Sequence, residues 1–438
     1  MTLLRKLFLV TWAAVLALAI LLGSRACMDG PFSEDGGRII LAVGRSLGLL
    51  AVALLLLQPI LAMRPRVLER AFGLDRLLAF HRLSAVLCLG AAFLHPMFVY
   101  GSELRSAGPS GWHLWPQAMG AMALLGAWVL VVSSLYRDFL LLRWEAWRKL
   151  HVILALVLVP AFAHTFAVQP DFRGGLSLIL WILVLGGWLA FIVWHRSVRS
   201  RLERARGKFA VVSVKPVARN VTEVTLSPAN ESFSYSPGQF AFLRFHSDQV
   251  AGEEHPFTIS STPFGTRDIQ FTIKEAGDFT RTVGALRTGD MADVSGPFGV
   301  FTPARFGELR HLVMVAGGIG ITPMLSVLRT YAMNTDRVAI TLLWSNRTTE
   351  DTPYLNELAG LADIIPELFV HHFLTQDSRP GVHMGRLGVP ALRELVPSYE
   401  TGVHVMLCGP RQMMLDLARG FRNLGYPRSA VHYEDFSL

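Results

Sequence analysis

Six apolar runs, at about 7–23, 39–62, 77–99, 115–136, 150–168 and 175–194, fill most of the chain up to Arg196. Each is about long enough to cross a ~30 Å hydrocarbon core as a helix, the form in which a single segment satisfies its own backbone inside lipid. With 52% hydrophobic and only 17% charged residues among 438, the chain reads as partly embedded in a membrane. After Arg196 its character becomes that of a soluble protein. This switch predicts a membrane domain over 1–200 and two soluble domains over 207–305 and 306–438.

Charge sets the orientation. The connection 63–76 carries Arg64, Arg66, Arg70 and Arg76, and 137–149 carries Arg137, Arg143, Arg148 and Lys149, while the alternating loops near 24–37, 101–114 and 169–174 carry fewer cations. The positive-inside rule then puts both termini in the cytoplasm. The basic stretch after the sixth run, from Arg196 to Lys208, lies on the same side, so the net charge of +8 reflects topology and attraction to an anionic inner leaflet rather than nucleic-acid binding. The first run resembles a signal peptide, but Arg25 beside Cys27 makes a poor small-residue cleavage site, and an uncleaved anchor is expected. Three scattered cysteines, Cys27, Cys88 and Cys408, form neither a disulfide framework nor a paired-cysteine metal motif.

Four histidines sit inside the apolar runs: His81 and His95, fourteen residues apart, and His151 and His164, thirteen apart. Polar rings in lipid-spanning helices are costly and mark function, and imidazole ligates haem iron axially. A fourteen-residue step rises roughly 21 Å and returns to within about 40° of the same helix face. The thirteen-residue step misses by roughly 140°, and Pro160, four residues before His164, is expected to kink or re-register that helix by about one residue. The expectation is two haems stacked across the membrane, His81 with His151 on the inner side and His95 with His164 on the outer.

Beyond residue 207, short alternating runs such as Phe209-Ala-Val-Val-Ser-Val214, broken by Pro-Gly and Gly-Asp turns, predict a small antiparallel β-barrel. From about 309, apolar strands (His311-Leu-Val-Met-Val-Ala316, Ala339-Ile-Thr-Leu-Leu-Trp344, Val403-His-Val-Met-Leu-Cys408) alternate with helical segments, which predicts an α/β domain with a parallel sheet. In the barrel, His255-Pro-Phe-Thr-Ile-Ser-Ser261 is a strand whose backbone and hydroxyls can line a flat heteroaromatic ring. Lys274-Glu-Ala-Gly-Asp-Phe-Thr280 opens a predicted helix whose free amides suit a pyrophosphate. In the α/β domain, Val315-Ala-Gly-Gly-Ile-Gly-Ile-Thr-Pro-Met324 follows a strand and enters a helix, so its glycines let a dinucleotide phosphate approach the backbone. It is neither the GxGxxG fingerprint nor a P-loop. Cys408-Gly-Pro410 ends a strand at the carboxyl edge, where open sheets bind ligands.

Taken in order, the His-Pro-Phe-Thr strand, the Gly-Asp-Phe-Thr turn, the Ala-Gly-Gly-Ile-Gly segment, Cys-Gly-Pro and the terminal aromatic Phe436 resemble a ferredoxin-NADP-reductase-type flavin module. Joined to a six-span haem domain, the chain resembles the NADPH oxidase and ferric reductase superfamily, in a compact bacterial form. The resemblance implies an oxidoreductase of the bacterial inner membrane that carries electrons from NADPH, with NADH possible, through FAD and two b-type haems to an acceptor outside the cytoplasm. That acceptor would be O2, giving superoxide, or a ferric chelate, with no obligatory protein partner evident. A non-catalytic haem sensor or electron-transfer subunit is the reading from another class. The resemblance further implies that His255, Pro256, Phe257 and Thr258 contact FAD, with Gly277 and Thr280 near its pyrophosphate and Phe436 stacked on the isoalloxazine. Gly317, Gly318, Gly320, Thr322 and Pro323 would hold the nucleotide phosphates. Cys408, Gly409 and Pro410 would lie near the nicotinamide, and Ser345 and Arg347 near a 2′-phosphate. Arg45 matches an arginine that lines the oxygen site of eukaryotic oxidases, but Val99 stands where they have a histidine.

Overall fold

The computed structural model describes residues 3–25, 35–105, 114–137, 139–142, 144–168, 175–199, 207–229, 233–334 and 338–433. It divides into two compact units, Met1–Val198 and Arg199–Leu438.

The first unit is all helix: α1 (Leu3–Arg25), α2 (Asp35–Ala62), α3 (Arg66–Phe72), α4 (Leu74–Arg105), α5 (Leu114–Leu135), α6 (Trp144–Leu154), a 3-10 turn (Ala155–Val157), α7 (Leu158–Val168) and α8 (Gly175–Val193). Among the described residues five stretches are long and apolar enough to span a membrane: Arg5–Leu22, Gly37–Ala62, Leu74–Ser102, Leu114–Leu135 and Ala146–Val168. The 19-residue apolar helix α8 follows them, and its Trp188 indole donates to the Leu56 carbonyl of α2 at 2.9 Å. Large apolar side chains such as Leu87, Phe93 and Leu125 point outward, as a lipid solvent requires. Small and medium residues of α2 and α4, among them Ala51, Leu54, Cys88 and Ala91, pack inward.

Helices α6 and α7 depart from the sequence expectation. Pro160 does not kink a continuous helix; it lies in the first turn of a new one, where a missing N–H breaks no intrahelical bond. The interruption comes earlier, at the 3-10 turn Ala155–Val157. Three residues at about 120° rather than 100° each overwind the chain by roughly 60° toward alignment, and α7, as a separate helix, sets its own rotation. Gly126 of α5 makes room for the turn: a Cβ there would lie 2.8 Å from Val157 Cγ2.

The second unit holds two sheets. Strands β1 (Lys208–Ala218), β2 (Val221–Pro228), β3 (Phe240–His246), β4 (His255–Thr258), β5 (Ile269–Lys274) and β6 (Met291–Phe298) form an antiparallel sheet in the order β4-β3-β6-β1-β2-β5. Its two edges meet at a single bridge between Ile259 and Phe271, around a core that includes Phe209, Leu226, Leu243, Phe245 and Phe271. The short helix α9 (Asp278–Thr282) follows β5. The other sheet is parallel throughout: β7 (His311–Gly317), β8 (Ala339–Asn346), β9 (Leu368–Leu374), β10 (His383–Met384), β11 (Val403–Cys408) and β12 (Val431–Tyr433), in the order β10-β9-β8-β7-β11-β12. Helices α10 (Ile321–Tyr331) and α11 (Leu355–Ile364) cover one face, α12 (Val389–Leu395) and α13 (Arg411–Asn423) the other. Burial on both faces explains the uninterrupted apolar run of β7, whose Leu312 and Met314 face one core and Val313 and Val315 the other.

Candidate functional site

In the membrane unit the four histidines form two pairs. The rings of His81 and His151 have centroids 6.3 Å apart, and those of His95 and His164 are 6.0 Å apart. His81 and His95 share the unbroken helix α4, so the pairs are stacked about 21 Å apart along it. Among the described residues no group of three or more His, Cys, Asp or Glu could bind a bare metal ion. Two facing imidazoles suit instead a metal whose other ligands come from a macrocycle, as in haem. Metal–imidazole bonds of about 2 Å on each side place the ring centroids roughly 6 Å apart, so the observed spacings fit an iron between each pair.

The second ring nitrogen of each histidine decides which nitrogen is left to bind. His95 Nδ1 donates to the Gly44 carbonyl of α2 at 2.7 Å, and His164 Nδ1 to the Pro116 carbonyl of α5 at 2.7 Å. The rings of His95 and His164 are therefore fixed with Nδ1 carrying the proton and Nε2 left free. In the other pair, His151 Nδ1 meets the Ser134 hydroxyl at 3.2 Å. That hydroxyl donates to the Leu130 carbonyl at 2.6 Å and also accepts from the Trp147 indole at 3.3 Å. His81 Nδ1 is buried without a hydrogen-bond partner. Ser134 and Trp147 escaped the sequence reading, because nothing in their spacing marks them as partners of a histidine.

Arg45 is half-buried on α2 beside Gly44, the residue whose carbonyl holds His95. Val99, one turn beyond His95, is pressed against the same place: a Cβ on Gly44 would lie 2.9 Å from Val99 Cγ2. An imidazole at 99 would meet the α2 backbone.

In the antiparallel sheet, His255, Pro256, Phe257 and Thr258 form the edge strand β4 and are all half-buried. His255 lies over Phe279 with centroids 4.1 Å apart and pairs with Glu253 at 3.1 Å. The two serines that end this motif do not line a ring. Ser260 Oγ donates to the Gln270 carbonyl, while Ser261 Oγ accepts from the Gln270 amide at 3.0 Å and bonds Tyr235 at 2.8 Å. Burial pushes the Tyr235 hydroxyl up to about 12, so it stays protonated and donates to the Thr262 carbonyl at 2.6 Å. Gly277 begins α9 with open space around it, and the Thr280 hydroxyl accepts from the Ala276 and Gly277 amides at 2.8 and 2.9 Å. Thr280 thus caps its own helix, leaving fewer amides for a phosphate than the sequence suggested.

The parallel sheet brings the Gly-rich and Cys-Gly-Pro segments together at its switch point, between β7 and β11. A Cβ on Gly317 would lie 2.7 Å from Pro410 Cδ, one on Gly320 would strike the Cys408 carbonyl, and one on Gly409 would lie 2.9 Å from Gly317 Cα. These glycines are therefore required by the close approach of two loops. Gly318 is the open one: it has φ +55° and nothing within 4 Å of a Cβ. Its carbonyl is pinned at 3.0 Å by the indole of Trp344, a fully buried residue whose sequence context marks it only as part of a strand. Thr322 bonds the Ile319 carbonyl at 3.1 Å, and Thr322 and Pro323 are buried in the first turn of α10. Cys408 is buried at the end of β11. Ser345 is half-buried and Arg347 exposed just past β8. Between them Asn346 is buried with its Nδ2 unpartnered, a spare donor at the carboxyl edge where a nucleotide would lie. Phe436 falls outside the described residues.

A buried charge cluster joins the two sheets. Arg329 of α10 forms a fork with Glu357 at 2.5 and 2.9 Å and reaches the Ser260 carbonyl and Gln270 Oε1, each at 2.9 Å. Tyr354 donates to Glu223 at 2.7 Å and bonds Thr272 at 2.8 Å. Burial works against the charge on Arg329, but Glu357, with Tyr354 and Glu223 beside it, more than compensates and holds its pKa above the ordinary value.

Residues 47–162 match the family model of a ferric reductase like transmembrane component, residues 206–291 that of an FAD-binding domain, and residues 314–419 that of an oxidoreductase NAD-binding domain. The chain has the architecture of the ferric reductase and NADPH oxidase superfamily. Its second unit is a flavin- and nicotinamide-dependent oxidoreductase module. This half is 29% identical over 237 residues to the reductase component of propane 2-monooxygenase from Mycolicibacterium goodii, covering 52% of this chain and 66% of that protein. It is 26% identical over 241 residues to NADH-cytochrome b5 reductase 1 of Candida glabrata, covering 53% and 84%. The cytochrome b5 reductase domain of Ulva prolifera nitrate reductase superimposes with a TM-score of 0.47 at 22% identity, covering 52% of this chain and 96% of that one. The chain spans just under two thirds of the length of the monooxygenase reductase component.

Proposed function

We propose that the protein is a membrane flavocytochrome that takes electrons from cytosolic NADPH and delivers them, through FAD and two b-type haems, to an acceptor on the far side of the membrane. The observation that carries the reading is the two pairs of imidazoles at 6.3 and 6.0 Å, in one chain with a flavin and nucleotide module. Bound FAD would accept the hydride as an electron pair and bound haems would carry electrons singly. The residues supply position. His81 with His151 and His95 with His164 hold the irons, while β4 and the turn at Gly277 and Thr280 line the flavin. Gly318, Thr322 and the spare Asn346 amide receive the nucleotide, with Arg347 offered to a 2′-phosphate as a charge-assisted donor.

On this reading α8 is the sixth span, both termini are cytoplasmic, the membrane is a bacterial inner membrane, and the antiparallel sheet acts as a closed barrel. With a histidine on each side, a bound haem iron would have no open position, so these residues would suit electron transfer to an acceptor that does not bind the metal. Arg45 beside Gly44 favours O2 as that acceptor, giving superoxide. Val99, packed where an oxidase carries histidine, favours a ferric chelate as the second reading. The test is to purify the full chain and record its absorption spectrum anaerobically before and after NADPH, followed by superoxide yield in air against ferric-chelate reduction without oxygen. Two reducible haems per flavin are expected. A preparation that lacks haem, or that cannot oxidise NAD(P)H, overturns the proposal.

A further inference from the structure

Two glycines on different helices stand in the same relation to the outer histidines. Gly48 of α2 lies four residues after Gly44, whose carbonyl takes His95; Gly120 of α5 lies four residues after Pro116, whose carbonyl takes His164. A Cβ on Gly48 would sit 2.8 Å from His95 Nδ1 and 2.9 Å from its Cε1, and a Cβ on Gly120 would sit 2.9 Å from both His164 Nδ1 and Cε1. The two seats match to about a tenth of an ångström.

The physical reason lies in helix geometry. The carbonyl of residue i accepts the N–H of residue i+4 and keeps a second lone pair. That lone pair is ordinarily covered, because the Cα–Cβ bond of residue i+4 tilts toward the helix N-terminus and lies over the preceding turn. Removing the side chain at i+4 uncovers the carbonyl. A flat ring can then lie on the bare backbone and donate its N–H there. Inside an apolar span this provides a hydrogen-bond partner for imidazole without burying a second polar side chain, which would carry its own desolvation cost.

We infer that Gly48 and Gly120 are positioning residues for the outer haem: each exposes a backbone carbonyl that fixes one axial imidazole with Nε2 directed at the iron. The inference rests on the di-haem reading above. The inner histidines use a different arrangement, so the effect is confined to one haem. Gly48→Ala and Gly120→Ala in the full chain should each lower the haem-to-protein ratio about twofold, or keep both haems with one low-spin paramagnetic resonance signal shifted as its imidazole turns. The second haem signal and the flavin content should stay unchanged. Gly90→Ala, on α4 with nothing within 4 Å of its Cβ, is the control and should keep both signals. Since alanine is the better helix former at any of these positions, loss confined to one haem cannot come from helix propensity. Unaltered haem content and signals in both variants would overturn the inference, as would loss of both haems together, which would assign the glycines to general bundle packing. Absence of haem from the unsubstituted protein would instead refute the di-haem reading itself.

Discussion

The helical unit and the two-sheet unit hold their functional groups in opposite ways. In the helical unit the His95 and His164 imidazoles are tied to main-chain carbonyls, each beside a glycine one turn later. In the second unit the two sheets are tied by a side-chain cluster of Arg329, Glu357, Glu223 and Tyr354. The difference follows from solvent. Within lipid a polar side chain recruited as a partner would itself need satisfying, whereas a helical carbonyl is already present with a lone pair to spare. Near water, charged groups can be partly solvated: Glu357 remains 34% exposed while Arg329 is 14% exposed. The pair of His81 and His151 lies between these extremes, with a serine hydroxyl behind His151 and no partner behind His81 Nδ1.

The largest expected effect would show whether the units are separable. His95→Leu should remove about half of the haem absorbance while NADPH oxidation with a soluble artificial acceptor persists. Unchanged haem content would break the assignment of function to the membrane unit. Next comes Arg329→Leu, which strips the cation from a buried cluster and leaves Glu223 and Glu357 facing each other. Removing one partner of a buried ion pair costs about 3 kcal/mol or more, so thermal unfolding followed by flavin fluorescence should move to lower temperature with haem content retained. If haem is lost in step with flavin, the two units are not independent.

A smaller effect concerns nucleotide choice. Arg347→Ala should raise the KM for NADPH about tenfold, the low end expected for an exposed charge-assisted contact of roughly 1.5 kcal/mol, with little change for NADH. Equal effects on the two nucleotides would place this arginine elsewhere.

The smallest effect is a pH dependence in the second unit. Burial holds the pKa values of His311, His372 and His404 below the usual 6.5. The unfolded chain, with its ordinary values, therefore binds more protons between the two, so stability rises with pH in that window and is lost as pH falls below about 6.5. The midpoint of flavin-monitored unfolding should drop between pH 7 and pH 5.5, whereas haem absorbance at fixed redox state should not follow the same curve. A flat unfolding midpoint over that range would mean that these histidines are as well solvated folded as unfolded.

Much of this protein could be read before folding was considered. Apolar length marked the spans, because a bilayer imposes a fixed thickness, and the fourteen-residue step on α4 located one side of both imidazole pairs, because an α-helix has a fixed pitch. The alternation of the apolar strands β7, β8 and β11 with helical segments announced a parallel sheet with helices on both faces. What remained hidden depends on contacts between segments far apart in sequence. Sequence spacing assigned the correction at His164 to Pro160, whereas the overwound turn at 155–157 fits because Gly126 on another helix leaves room for Val157. The Ala-Gly-Gly-Ile-Gly segment suggested a phosphate cradle throughout, yet Gly317 and Gly320 are occupied by their approach to the Cys408–Pro410 turn, and Gly318 alone is open. Gly48 and Gly120 carried no local signal, since a glycine in an apolar run looks the same whether it faces lipid or a histidine. Periodicity and composition are properties of one segment and determine which elements form and where they lie relative to the membrane. Which carbonyl meets which imidazole is a property of two segments at once, and only their packing decides it.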